Sequence, residues 1–433
     1  MTPPLAPREA VRRILEATPP QPALRIPLDE ALGSVLADAI TSPLDIPPWT
    51  NSAMDGYAAR GADVRGATPE RPVHLRVVEQ VAAGEFPTRP LGPGEATRIF
   101  TGAPLPEGAD SVIRQEDTDY GSEVVAIASD RDAGVNIRRA GEDIRRGETV
   151  LQAGDELTPA RLGVLASLAV AHPLVHRHPR VAILGSGDEI VDIDQPEEIL
   201  SGRKIASSNT HTLVALVRQA GGVPVNLGIA RDARDSLREH LGRAADCDLL
   251  VTTAGISVGE HDHLRATLEE MGAELRFWKL RMRPGAPVGF GMLHGTPVGV
   301  GPAPPVAPVR LPWIGLPGNP VSTMVTFELF VRPAIRRMMG HRLPFRRTVP
   351  VTLGEPIRVG ASLQHFLRAI VTPERDGTLV ARLTGPQGSG ILTSMVRGNA
   401  LLIIPEGQPE TPAGATATAL LLDDPRHVGE VPW

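Results

Sequence analysis

The chain has 433 residues, of which 42% are hydrophobic and 22% charged, and its formal net charge is −6. That length calls for two to four domains of roughly 100–150 residues each, and the acidic balance gives no support for nucleic-acid binding, which usually carries a basic bias. The single cysteine, Cys247, excludes a disulfide framework or a cysteine-rich zinc site, and no apolar run is long enough to span a bilayer as a helix.

Aromatics are only 3% of the chain, so aliphatic side chains must fill the cores. The 44 glycines and 43 prolines favour tight turns and short strands. The first residues, MTPPLAPREAVRRILEA, lack an apolar signal-peptide core, and the expected location is the cytoplasm. Val11, Ile14 and Leu15 predict a helix over 7–17, and a second short helix is expected over 28–36. An extended proline-rich stretch from Thr41 ends in the Asp55-Gly56 turn. Residues 73–118 mix short alternating strands with turns and predict a small β-rich unit. Thr158-Pro159 predicts a helix start, and the apolar helix that follows, through residue 169, is expected to be buried. HPLVHRHP, residues 172–179, reads as a linker.

Beyond it the pattern becomes βαβα. Strands are expected over 181–184, 223–229 and 248–253, alternating with helices over 210–220, 233–244 and 263–271, which implies a parallel doubly wound sheet. Cys247, just before the third of these strands, reads as a small buried residue. The proline-rich segment 301–312 is expected to be an exposed loop. Asn319-Pro320 starts a long helix to about residue 339. The remainder alternates apolar and polar residues in short runs and suits a small antiparallel barrel or sandwich.

Three stretches repeat one layout, an apolar strand followed by a glycine-rich loop and a helix. They are VAILGSGDEI from Val181, DLLVTTAGISVGEHD from Asp248 and WIGLPGNPVS from Trp313. Loops at the carboxyl ends of neighbouring parallel strands converge on one crevice. Gly185, Ser186, Gly187, Gly255, Ser257, Gly259, Pro317, Gly318, Asn319 and Pro320 supply the loops, where glycine lets backbone N–H groups approach an anion. Asp188, Glu189, Glu260 and Asp262 add carboxylates that a simple phosphate cradle would not want, and they suggest a bridging Mg²⁺. The chain therefore reads as an oxoanion- or phosphate-handling enzyme.

Other candidates are open at this level. His261 and His263 flank Asp262, but zinc wants three or four ligands at recognised spacings. Lys279 and Arg283, four apart, either sit on the surface or line the crevice to neutralise a dianion. Asp55, Thr101 and Asp143 each lie in turn-like sequence. No nucleophile elbow, Walker loop or metalloprotease helix is present.

Taken together, NSAMDGYA, IFTGAPLPEGAD, NIRRAGEDI, GSGDE, GISVGEHD, FWKLRMRPG, GLPGNPVS and PQGSG occur in an order that resembles the MoeA-type molybdopterin molybdenumtransferases, the family that includes the gephyrin E domain. The likeness runs over nearly the whole chain. It implies a multidomain α/β architecture: an elongated N-terminal unit (1–47 plus 139–175), a β-rich inserted domain (48–138), a central doubly wound molybdopterin-binding α/β domain (176–342) and a C-terminal β-barrel (343–433). It also implies a homodimer with active sites shared between subunits. Molybdate and adenylated molybdopterin would be substrates and Mg²⁺ the cofactor, with AMP released and molybdenum cofactor formed. The molybdopterin adenylyltransferase of the same pathway would be a partner, and neither nucleic acid nor membrane would be. By motif, the functional positions fall on Asp55, Thr101, Asp143, Glu189, Asp232, Asp262, Lys279 and Arg283, with Pro317, Pro320, Arg368 and Ser389 completing the set. Glu189 and Asp262 would hold the metal, and Asp55 and Thr101 would come from the partner subunit. Against the family pattern, Arg283 replaces a lysine, Ala286 removes another, Thr253-Ala254-Gly255 replaces serine-glycine-glycine, and the 301–312 insertion is extra. A tungstate-preferring paralogue and a non-catalytic molybdopterin-binding or scaffold protein are the alternative readings.

Overall fold

The structure is a computed structural model that describes residues 3–254, 263–295 and 309–423. The helix Pro7–Ala17 buries Pro7, Ala10 and Ile14, while Glu9 pairs with Arg12 and Arg13 on its outer face. Ala10 and Ile14 join the apolar cluster of the central α/β unit. The expected second helix is only a single 3₁₀ turn, Leu28–Glu30. It stops because Gly33 turns into the left-handed region at φ +76°.

Strand Ala23–Arg25 pairs antiparallel with Leu174–His176, and Ile40–Thr41 pairs with Thr149–Leu151. The segment read as a linker is thus partly a strand, because Ala23–Arg25 offers it an edge. Together these pieces close a small core of Ala31, Leu36, Leu151, Leu157, Leu165 and Val175. The helix Pro159–Ser167 starts at Thr158, whose side chain accepts from the Arg161 amide. Burial was expected of this helix, but Leu165 is its only buried residue. Its remaining positions include small alanine, glycine and serine side chains, which cost little to leave in water.

Between these segments lies a five-stranded sheet in the order Ser111–Arg114, Gly56–Ala59, Glu95–Ile99, Val73–Val81, Val124–Ile127. Tyr57, Leu75, Ile113 and Ile127 form its core.

The central sheet has the order Val223–Ala230, Arg180–Ser186, Leu249–Thr253, Val309–Leu316, Gly289–Gly295, Ala273–Phe277. The first four are parallel, Gly289–Gly295 pairs antiparallel with Val309–Leu316, and Ala273–Phe277 pairs antiparallel with Gly289–Gly295. The three strands expected from the βα alternation are parallel, as predicted, and two further strands at one edge make the sheet as a whole mixed. No helix separates Ala273–Phe277 from Gly289–Gly295, and without a crossover two neighbouring strands pair antiparallel. Apolar clusters cover both faces. One contains Ile183, Val251, Phe290, Phe327 and Phe330, and the other contains Leu184, Leu250, Leu264, Cys247 and Trp313. Burial pushes the Cys247 thiol pKa up, which suits a packing role.

The long helix after Asn319 runs in three pieces: Pro320–Thr326, a π turn Phe327–Val331 and Arg332–Met338. Pro333 has no N–H to return to the preceding turn, so the ladder widens ahead of it. Finally, Gln364–Pro373, Leu379–Leu383, Thr348–Leu353, Thr416–Leu421 and Ala400–Ile404 close into a five-stranded barrel, the last pairing back to the first. The short strand Met282–Arg283 of the α/β unit adds to this barrel beside Gln364 and His365.

Candidate functional site

Two of the three glycine loops and the start of the third meet where the sequence places them, at the carboxyl ends of adjacent parallel strands. Gly185, Ser186, Glu189, Thr253, Ala254, Pro317, Gly318, Asn319 and Pro320 line a cleft of about 600 Å³. Gly187 takes φ +137°, and a Cβ there would stand 2.9 Å from the Glu189 carboxylate, so only glycine admits both the turn and that carboxylate. Ala254 takes φ +70°, a strained conformation for a residue with a Cβ. Its methyl stands 3.3 Å from where a Cβ at Gly318 would lie, so this close approach suits a glycine at 318. Gly255, Ser257, Gly259, Glu260, His261 and Asp262 lie outside the described residues.

The loops are tied by a residue that the motifs did not single out. Asn209, in the first turn of helix Ser208–Ala220, donates through Nδ2 to Thr253 Oγ1 (3.0 Å) and to the Gly318 carbonyl (2.7 Å). The Thr253 hydroxyl donates in turn to the Pro317 carbonyl (3.3 Å). The Thr323 hydroxyl also donates to Pro317 (2.6 Å). One amide therefore joins the ends of two strands to the start of a helix. An asparagine beside Ser207 and Ser208 reads in sequence as ordinary capping chemistry, and nothing in its spacing shows what lies opposite.

The acidic groups divide between two clefts. Glu189 faces the glycine-loop cleft, whereas Gly187 and Asp188 line an adjoining one of about 690 Å³ with Lys204 and Arg231. The Asp232 amide donates to Asp188 Oδ1 (3.3 Å). Desolvation pushes the Asp232 carboxyl pKa up, and the neighbouring Asp188 and Glu189 charges add to the rise. Such mutual repulsion is relieved by a hard cation with oxygen ligands, so the donor set fits Mg²⁺ in kind. Among the described residues no three acidic or histidine side chains converge as a complete metal site.

A third cleft, of about 610 Å³, separates some of the basic candidates from the glycine loops. Arg283, Pro284, Arg358, His365, Arg368, Gln387 and Gly388 line it. Arg368 is 1% exposed. It donates to Ser394 Oγ (3.0 Å) and to the Gly388 carbonyl (2.9 Å), and its Nη1 has no partner among the described residues. Desolvation lowers its pKa, and no carboxylate is among the lining residues. A buried guanidinium without a counter-ion leaves charge that an anion would satisfy. Arg283 stands opposite, its strand register matched to His365. Gly285, at φ +93°, passes so close to helix Pro320–Thr326 that a Cβ would meet Thr326 Cγ2 at 2.3 Å. The 387–390 loop joins the two clefts: Gly388 lines one, Gly390 the other, and the Ser389 carbonyl accepts from the Val321 amide (3.1 Å).

Lys279 is exposed and lines none of these clefts. Its carbonyl accepts from the Leu5 amide (3.0 Å). Asp55 and Thr101 form a pair on the β-rich sheet, where Asp55 Oδ1 accepts from both the Thr101 amide and its hydroxyl (2.8 Å each). These bonds hold the Asp55 carboxyl below the usual carboxylate range. Asp143 is held through its amide by the Ile46 carbonyl (3.0 Å). None of these hydrogen bonds reaches the central sheet.

A four-parallel-strand sheet with glycine loops over a polar cleft, joined to a β-rich unit and a terminal barrel, defines a multidomain α/β ligand-binding protein. The MoeA N-terminal region (domain I and II) matches residues 5–169, a probable molybdopterin binding domain matches 182–337, and the MoeA C-terminal region (domain IV) matches 350–422. The chain is 35% identical to the molybdopterin molybdenumtransferase of a Nostoc species over 90% of its own length and 87% of that protein. It is 37% identical to molybdopterin molybdenumtransferase 2 of Mycobacterium tuberculosis, over 90% and 93%. The crystal structure of the Pyrococcus horikoshii molybdopterin biosynthesis MoeA protein superposes with a TM-score of 0.78 at 28% identity, covering 97% of this chain and all of that one. The chain belongs to the molybdopterin molybdenumtransferase family, and the reading as a transferase of MoeA type stands.

Proposed function

We propose that this protein inserts molybdate into adenylated molybdopterin, with Mg²⁺-dependent release of AMP, and so forms molybdenum cofactor. The observation that carries the reading is the adjacency of two chemically different clefts. One is floored by glycine loops and edged by the Glu189 carboxylate, and the other is walled by Arg283 and by Arg368, whose Nη1 has no partner among the described residues. The first suits a phosphate-bearing pterin, and the second a tetrahedral oxoanion.

In this scheme the glycine loops seat the pterin and its phosphate, and Arg283, Arg368 and Ser389 hold the oxoanion. Glu189 and Asp262, with Asp188 and Asp232 nearby, would hold Mg²⁺, which supplies charge neutralisation at the phosphoanhydride. Lys279 would contribute a further cation from its exposed position. Asp55 and Thr101, whose bonds stay within their own sheet, would reach the cleft of a second subunit, and Asp143 would act at its edge. The protein would be a cytoplasmic homodimer with shared sites that receives substrate from the molybdopterin adenylyltransferase. Among the described residues no helix is long and apolar enough to cross a membrane. Its units would be 1–47 with 139–175, 48–138, 176–342 and 343–433.

The test is AMP release from adenylated molybdopterin with Mg²⁺, adding molybdate or tungstate in turn. Release stimulated by molybdate supports the reading. A folded protein that binds molybdopterin and releases no AMP with either oxoanion would refute it. Light scattering at micromolar concentration should give twice the chain mass, and a monomer would refute the shared site.

A further inference from the structure

The arginine-lined cleft contains one titratable group that could change charge near neutral pH. His365 is 4% exposed and sits in strand Gln364–Pro373, three residues before Arg368 and in register with Arg283 across the short parallel pair. With Nε2 donating to the Gly360 carbonyl (3.0 Å), the neutral ring has its lone pair on Nδ1, for which no described residue supplies a donor. Arg283, Arg358 and Arg368 are the charged side chains lining the cleft with it. Each acidic group on the flanking segments has a partner of its own: Glu410 pairs with Arg358 at the cleft wall (3.0 Å), Glu355 accepts from the Leu383 amide (2.7 Å), and Glu406 pairs with Arg281 (3.3 Å). On the neighbouring barrel strand its register partner is Ile404, which is apolar.

Two opposing fields therefore act on this imidazole. In the free protein, burial and then the Arg283 charge hold its pKa below the ordinary histidine value, so the ring is neutral at pH 7. A dianion held between Arg283 and Arg368 would cancel the cationic field and place acceptor oxygens near Nδ1, and both effects favour the charged form.

We propose that His365 is an anion-binding side chain of this cleft, taking up one proton on Nδ1 as a tetrahedral dianion binds and donating it to an oxoanion oxygen. The inference rests on the oxoanion reading of the arginine cleft and adds to it a proton linkage. One anion and one proton enter together, and nothing is oxidised or reduced. Linkage then requires affinity to fall as pH rises, approaching tenfold per pH unit once uptake is a full proton. Molybdate and tungstate both remain dianionic over this range, so the slope belongs to the protein.

The experiment is titration calorimetry of the full-length protein with sodium molybdate and, separately, sodium tungstate, between pH 6.5 and 8. Running each in buffers of different ionisation enthalpy counts the protons taken up. The variants are His365→Gln, which retains a donor toward Gly360 and cannot titrate, and Arg368→Ala. The exposed Arg283→Ala serves if Arg368→Ala does not fold. Uptake near one proton in the wild type, lost in His365→Gln together with the pH slope, supports the proposal. Binding that depends on the arginines but takes up no proton, or takes up the same proton in His365→Gln, overturns it and leaves the oxoanion site standing. Binding that ignores the arginines, or no binding, overturns both.

Discussion

Replacing Asn209 by alanine tests whether one amide holds the glycine-loop cleft together. The change removes two hydrogen bonds, to Thr253 Oγ1 and to the Gly318 carbonyl. Each contributes on the order of 1 kcal/mol net. Thr253 keeps its bond to Pro317, and the Gly318 carbonyl, on an exposed residue, turns to water when its donor is removed, so no buried orphan adds to the loss. The loops are therefore loosened by about 2 kcal/mol, and local opening at the cleft edge is more affected than the core. If the bound state needs the closed loops, apparent affinity falls by the fraction of molecules that lose them, at most about 30-fold. Steady-state AMP release should show a raised KM with little change in melting temperature. Asn209→Asp should be worse than alanine, because a carboxylate cannot donate to the Gly318 carbonyl and places charge against it. An unchanged KM in Asn209→Ala, or a collapse in melting temperature with KM intact, would refute the clamp.

Gly285→Ala should destabilise the protein by about 2 kcal/mol or more, since a Cβ at φ +93° would meet Thr326 at 2.3 Å; chemical denaturation reads it. Thr101→Val removes one of two donors to Asp55, so the Asp55 carboxyl should titrate higher than in the wild type, as carbon NMR of the side chain would show. Because that pKa is depressed on folding, its contribution is full above the ordinary carboxylate value near 4 and disappears as pH falls through the folded value. His341 is buried against Arg336, and desolvation followed by that charge lowers its pKa to about 4. Stability should therefore be level above pH 6.5 and fall by up to about 3 kcal/mol as pH drops toward 4, and His341→Gln should flatten this acid slope in urea unfolding.

Local physics alone carried much of the fold. The helix over 7–17 follows from its apolar spacing, the helix start at Thr158-Pro159 from capping, and the strands of the central sheet from short β-rich runs followed by glycine. These signals depend on neighbours in the chain, and neighbours are what a sequence displays. The glycine loops were legible for the same reason: a glycine that must turn at φ +137° beside Glu189 announces itself by its residue type.

What stayed hidden depended on distant partners. Leu174–His176, within HPLVHRHP, is a strand only because Ala23–Arg25 presents an edge to it. The helix after Pro159 turns Leu162 and Leu165 toward the small core and leaves its small residues in water at little cost. Ala273–Phe277 and Gly289–Gly295 run antiparallel because the segment that joins them makes its short strand, Met282–Arg283, with the barrel and contains no crossover helix. The site shows the same division. The residue types for phosphate, cation and oxoanion chemistry stand in the motifs, but the separation of Arg283 and Arg368 from the glycine loops arises only when the 387–390 loop is laid against helix Pro320–Thr326. Asn209 and His365 carry no motif at all. The sequence by itself determined which chemical groups are available and where the backbone must turn, since both are properties of single residues and short windows. Only the tertiary structure decided which groups share a cleft, because that is a matter of long-range packing between two faces of a sheet and a barrel built from the far end of the chain.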